Sequence, residues 1–306
     1  MSFEASLQKS TFQESLELLE WPRVCKQLSM FASTSQGRSY CLNFNLPRDI
    51  QTSRLKIEET VEIGLLDQFI EGGLSFYGVN DIGQTLKLCA KGGIASGEEL
   101  LAVANTLVSA RKLRRQIQSE DVRPRLTALV KDLSTMPDLQ KKLQLGLEEG
   151  GRVADRASTV LSGLRRRRGE LLHLRKDKMK DLLRRYATIF QDKVVAERNG
   201  RPVLAVKANY ASQLPGLVHD SSASGSTLFI EPQIIILNGN QIVDIESQIS
   251  QEERRLLAEW SSMVGEKFPQ LEHLVEILLQ LDFALARSRY GQWIGGVEPT
   301  LLEDAN

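Results

Sequence analysis

Cysteine is scarce in this chain: Cys25, Cys41 and Cys89 are odd in number, widely spaced and form no Cys-x-x-Cys pair. That pattern argues against a disulfide framework or a zinc cluster and predicts three buried, reduced thiols. Met1 to Ser10 lacks an apolar signal core, and nowhere do 18 uncharged apolar residues run together. The sequence therefore predicts neither a secretory leader nor a membrane span, and a cytoplasmic location. Net charge is zero, 39 Lys and Arg against 39 Asp and Glu, so any polyanion-binding surface has to arise from local segregation of charge. His173 and His273 stand without ligands at metal spacing, and no metal site is expected. No Gly-x-x-x-x-Gly-Lys-Ser/Thr loop occurs, and Gly225-Ser226-Thr227 lacks both the upstream glycine and the lysine, which argues against phosphate transfer by a P-loop in this chain. Internal repeats and low-complexity linkers are also missing.

What is present is a core-forming composition, 42% apolar and 25% charged over 306 residues, enough for two or three structural units. Leu16, Leu19, Val24, Leu28 and Phe31 recur at helical spacing, Trp21-Pro22 marks a break and restart, and Ser33 to Gly37 is expected to end the segment. Further helices are predicted from Asp49 to Ile70, stopping at Gly72-Gly73, and from Asp81 to Ala90. A Ser96/Glu99 capping box then opens a helix whose Leu100, Val103, Leu107, Ala110 and Ile117 face a core.

From Arg152 to Phe190 a proline-free run carries Leu161, Leu164, Leu171, Leu172, Met179, Leu182, Leu183 and Ile189, which predicts one helix of about 55 Å at roughly 1.5 Å per residue. Gln241 to Phe268 predicts a second long helix, Phe268-Pro269 ends it, and a last helix covers Leu271 to Tyr290. Between the long helices Val194 to Val206 reads as two strands about an Asn199-Gly200 turn, the strongest short-range hairpin signal. Ala208 to Gly216 leads to the short run Gly216 to Asp220, a Ser/Gly loop and the apolar exit Leu228 to Pro232. The expected fold class is mainly α with a small β insert at the tip of an antiparallel helix pair.

The run VLAVKANY, followed by LPGLVHDSSASGSTLFIEP, joins in fixed order a Lys-Ala-Asn-Tyr step, a Pro-Gly turn, a His-Asp-Ser-Ser-Ala-Ser-Gly loop and a Phe-Ile-Glu-Pro exit. It resembles the clamp segment of the Smr-bearing, type-two branch of the MutS family. Leu16 to Gly37, Leu46-Pro47 and Gly78 to Leu100 resemble the same family, and Leu281 to Tyr290 resembles its closing core helix. The resemblance implies an N-terminal tail at 1–15, a helical core at 16–150, an outgoing lever helix at 151–190, a β-containing clamp at 191–240, a returning lever helix at 241–268, and a closing core helix and tail at 269–306. It implies a mismatch-repair-like role in which ATP-driven motion sets the clamps on branched or double-stranded DNA, in suppression of recombination, or on the ribosome and its rRNA during rescue of stalled translation. The family's ATPase and its nuclease-like Smr domain are not found in this sequence. The chain is therefore expected to lack catalysis and cofactors of its own, with ATP and magnesium belonging to the intact family protein, and with homodimerisation mainly through the ATPase.

Two surfaces are candidates for phosphate contact. The loop Ser221 to Thr227 has the small residues that let backbone amides approach an anion; Ser222, Ser224 and Gly225 are its candidate contacts, with Lys207 and Arg201 on the neighbouring strand as charge donors. The same composition suits a plain turn. Arg165, Arg166, Arg167, Arg168 and Lys176 belong to a stretch ending at Arg185 in which ten bases meet three acids, a phosphate-facing stripe. Asp244, Glu246, Glu252, Glu253 and Glu259 on the returning helix offer the alternative, internal charge pairing that would suit a coiled-coil adaptor binding proteins only. His219-Asp220-Ser221 does not make a relay, since neighbours on a strand point to opposite faces.

Overall fold

The computed structural model describes residues 14–47, 49–118 and 122–302. The fold is mainly helical with one four-stranded antiparallel sheet, in line with the expected class. The chain divides into two compact units, 1–152 with 257–306, and 153–256. The expected tail at 1–15 lies almost wholly outside the described residues. No described helix is long and apolar enough to cross a membrane.

The first unit is built from α1 (Trp21–Ser29), α2 (Ser35–Asn43), α3 (Ile50–Phe69), α4 (Gly83–Ala90), α5 (Gly97–Ile117), α6 (Pro124–Val130), α7 (Pro137–Gly146) and α10 (Phe268–Trp293), with the end of α9 (Gln233–Glu266). Pro22 sits in the first turn of α1, where its missing N–H is harmless. Asp49 caps α3 by accepting from Thr52 N. Ser96 and Glu99 form the reciprocal box that opens α5, each satisfying an amide the helix end leaves orphaned.

Through α10 the unit is tied together. Asp282, fully buried, accepts from Ser33 N at 2.8 Å, Thr34 N at 2.8 Å and Thr34 Oγ1 at 2.6 Å, while Thr34 Oγ1 accepts from Gly37 N. A carboxylate thus anchors the residues that start α2, which is why Ser33 to Gly37 opens a helix where the sequence suggested an end. A Cβ on Gly37 would fall 2.1 Å from Asp282 Oδ2, so only glycine admits that approach. Glu62 on α3 accepts from Arg125 N and Leu126 N and caps α6, and Trp260, 2% exposed, packs so close to α7 that a Cβ on Gly146 would meet its ring at 2.4 Å.

The second unit holds α8 (Thr159–Arg185), strands β1 (Phe190–Arg198), β2 (Arg201–Lys207), β3 (Gly216–Ser221) and β4 (Thr227–Pro232), and α9 as far as Leu256. Within it α8 and α9 run antiparallel: Ser158 donates to Glu252, Arg165 pairs with Glu253, and Asn238 lies against Leu171 and Lys178. The outgoing helix is shorter at both ends than its apolar pattern suggested, because Asp155–Ala157 form a 3-10 turn, Ser158 caps at Leu161 N, and Phe190 is already in a strand. The returning helix begins at Gln233, eight residues before the expected Gln241.

Strand order is β1-β2-β4-β3, all antiparallel. Asn199 and Gly200 have φ of 52° and 72°, the double positive φ of a type I′ hairpin turn. Leu204, Val206, Ile230, Phe190 and Leu214 form the sheet's core with Met179 and Leu182 of α8 and Ile235 of α9.

Candidate functional site

The Ser/Gly loop is an ordered turn joining two strands. Gly225 N donates to Ser222 O at 2.8 Å and Ser222 N to Thr227 O at 2.9 Å, and Ser222 Oγ accepts from Thr227 N at 3.1 Å. Gly225 takes φ 68° to close it. Ser224 Oγ lies 2.8 Å from Ser226 Oγ and 3.4 Å from Ser222 Oγ, so three hydroxyls line one side of the turn. Ser224 and Gly225 are exposed and Ser222 half-buried. The amides of Ala223, Ser224 and Ser226 take no part in the described backbone bonds outside the ladders.

Register decides which bases reach this loop. Lys207 is paired with Thr227, directly beside it, and Ala208 N donates to Ser226 O; the Lys207 ammonium donates to Thr188 O at 3.3 Å and remains half-exposed. Arg201 stands at the other end of β2, six residues away, roughly 20 Å along a strand. Its guanidinium donates to Asn240 Oδ1 at 3.1 Å and lies 3.7 Å from Glu231. The structure brings Lys207, Ser222, Ser224 and Gly225 together and leaves Arg201 apart.

Around Arg201, away from the loop, lies a polar cluster that sequence reasoning did not find. Glu231, 2% exposed, takes His219 Nε2 at 2.8 Å and faces Arg201. The ladder shifts between Val218 and Asp220, so His219 is the bulged residue; a bulge re-aims a side chain against the simple alternation of a strand. The readable signal was an acid inside the apolar run Leu228 to Pro232, since a buried carboxylate requires a partner. Arg198 was also missed. Its guanidinium sits 4.1 Å from the Phe229 ring centroid, and its Nε is 3.2 Å from Asp220 Oδ2.

The basic stretch on α8 divides into paired and free charges. Arg165 is largely buried, donating to Val153 O, Asp155 and Glu253; burial opposes its charge, and the two carboxylates more than offset that and raise its pKa. Arg166 and Arg167 are exposed and share Glu170 at 4.0 and 3.0 Å. Arg168 is half-buried, its Nε without a hydrogen bond. Lys176 is exposed and has no ion pair among the described residues. Opposite, Glu252 is held down to a pKa of about 2 by hydrogen bonds from Arg255 and Ser158. Charge complementarity within the helix pair therefore consumes Arg165 but not Lys176. Among the described residues no group of three His, Cys, Asp or Glu could hold a metal.

Comparison with known proteins finds relatives that match nearly the whole chain. It is 38% identical over 290 residues to endonuclease MutS2 of Synechocystis, 95% of this chain and 35% of that protein. It is 34% identical over 299 residues to endonuclease MutS2 of Pelotomaculum thermopropionicum, covering 96% and 38%, and 32% identical over 298 residues to that of Clostridioides difficile, covering 95% and 38%. The chain is homologous to these proteins and spans 35% to 38% of their length. No protein-family model matches it.

Proposed function

We propose that this chain is the core, lever and clamp portion of a MutS2-type protein, a nucleic-acid-binding module in which α8 and α9 serve as the lever pair and the β sheet as the clamp. The observation that carries the reading is the ordered hydroxyl loop at Ser222 to Ser226 with Lys207 fixed beside it by register, within a chain 38% identical to an endonuclease MutS2. Small residues admit a phosphate to backbone amides, and the lysine supplies the charge that a neutral chain does not. Recognition of this kind reads the backbone and not the bases. Branched or double-stranded DNA is the proposed partner, with the ribosome and its rRNA sharing the same backbone chemistry. Chemistry is assigned to the whole MutS2-type protein, whose ATP-dependent motion would place the clamp; this sequence contributes binding only. Arg166, Arg167 and Lys176 form a secondary contact surface, Arg165 being committed to Asp155 and Glu253.

That commitment favours a second reading, a helical adaptor that binds proteins through α8 and α9. A titration against a four-way DNA junction and against ribosomes at two ionic strengths separates the two. The nucleic-acid reading expects affinity that falls steeply with salt, indifference to base sequence, and weaker binding with a flatter salt slope for Lys207→Glu. Absence of binding to either target would leave the adaptor, and equal affinity of Lys207→Glu and wild type would remove Lys207 from the site.

A further inference from the structure

The same sheet carries a second arginine, and its surroundings differ from those of Arg201 in ways that matter for an anion. Arg198 side chain is 40% exposed, against 31% for Arg201. Arg201 faces Glu231, which is buried and keeps that charge paired inside the fold. Arg198 instead lies over the Phe229 ring at 4.1 Å, with its NH1 donating to Glu197 O at 2.8 Å and its Nε to Asp220 Oδ2 at 3.2 Å. Stacking on an aromatic face holds a guanidinium's plane without using its donors, which leaves part of the fork for an acceptor in solvent. Asp220 is half-exposed, and its other oxygen accepts from Ser221 N at 2.8 Å, one residue before the hydroxyl loop. Arg198 is therefore joined to the loop through a single carboxylate, on the β3 side, as Lys207 adjoins it from the β2 side.

We propose that Arg198 is a phosphate-contact residue of this sheet, and that the Asp220 carboxylate occupies the position a backbone phosphate takes when nucleic acid binds. The inference rests on the reading of the sheet as a nucleic-acid interface, and it adds a residue pair with a distinctive sign. Arg198 lies over an aromatic ring with its Nε on a carboxylate oxygen, and a guanidinium that pairs with a carboxylate has donors that suit a phosphate oxygen as well. Phosphate must then compete with Asp220, so the acid lowers affinity and withholds Arg198 from weaker anions. Removing the base weakens binding, and neutralising the acid strengthens it.

The test is fluorescence anisotropy of a labelled four-way DNA junction, and in parallel of an rRNA hairpin, with wild type, Arg198→Gln, Arg198→Lys, Asp220→Asn and the Arg198→Gln/Asp220→Asn double variant across a salt series. Asparagine retains the acceptor for Ser221 N, and both positions are solvent-facing, so circular dichroism should be unchanged. Arg198→Gln is expected to weaken binding about two- to fivefold, the share of one exposed ion contact, and to lower the salt slope by about 0.9. Arg198→Lys should recover part of the loss, keeping the charge without the stacked fork. Asp220→Asn should tighten binding about two- to fivefold, the release of one surface ion pair, and this gain should vanish in the double variant. Tightening on the junction alone assigns DNA as the source of the phosphate, and tightening on both assigns the shared backbone. Wild-type binding with Arg198→Gln unchanged, or with Asp220→Asn weaker, overturns the inference while leaving the interface reading in place. No wild-type binding overturns both.

Discussion

Replacing Glu231 by alanine should open the β sheet without touching the helical unit. Its carboxylate is 2% exposed, takes His219 Nε2 at 2.8 Å, and faces Arg201, so it links β4 to both β3 and β2. Removing one partner of a buried charged pair leaves the other uncompensated, at a cost of about 3–5 kcal/mol. At roughly 1.4 kcal/mol per factor of ten, that is a rise of a hundredfold or more in the opening equilibrium of the sheet. Trp21, Trp260 and Trp293 all belong to the helical unit, so tryptophan fluorescence reports that unit alone. Hydrogen exchange followed by mass spectrometry reads the sheet directly. Peptides covering β2 and β4 should lose protection by at least two orders of magnitude in Glu231→Ala, with the fluorescence midpoint in urea unchanged. Glu231→Gln keeps an acceptor for His219 and loses only the charge facing Arg201, and should lose roughly tenfold. Wild-type exchange of β2 and β4 in the alanine variant would refute the assignment of this cluster as the sheet's polar anchor.

Asp282→Asn places an amide against three donors from Ser33 and Thr34; a loss of about 2–3 kcal/mol is expected, seen as a fall in the urea midpoint by tryptophan fluorescence and early exchange in α2. Glu252 has its folded pKa depressed to about 2 from 4.5, so its contribution is fully present above its unfolded value and is lost as pH falls towards 2. The start of α8 should accordingly fray in acid, and Ser158→Ala, which removes one of the depressing hydrogen bonds, should shift that fraying to higher pH by hydrogen exchange. Cys41 is pushed up to about 12 by burial and by the neighbouring Asp282 charge; it should resist alkylation at pH 8 in the native protein and react once urea unfolds it.

Local rules made the small features readable. Asn199-Gly200 and Ser96 with Glu99 are satisfied within a few residues, so their turn and capping box follow from sequence alone. The start of α9 is different. Asn238-Gly239-Asn240 lies just before the expected helix start at Gln241, yet Ile235 is fully buried, Asn238 bonds Leu171 O and receives Lys178, and a Cβ on Gly239 would sit 2.8 Å from Arg201 NH1. Residues that break helices in isolation are here used for close approach, and tertiary packing overrides propensity. The site was half legible for the same reason. Lys207 and the serine loop are brought together by the β2–β4 register, whereas Arg201, equally basic and on the same strand, is carried to the far end. His219 was set aside on strand alternation, which the bulge between Val218 and Asp220 suspends.

The most direct measurement of the central claim is a hydrogen-exchange difference map of the chain with and without a saturating four-way DNA junction. A clamp that holds backbone phosphate predicts new protection concentrated at Lys207–Ala208 and Ser221–Thr227, diminishing with added salt. Protection confined to the helices, with the Ser222 to Ser226 loop exchanging as in the free protein, would contradict it.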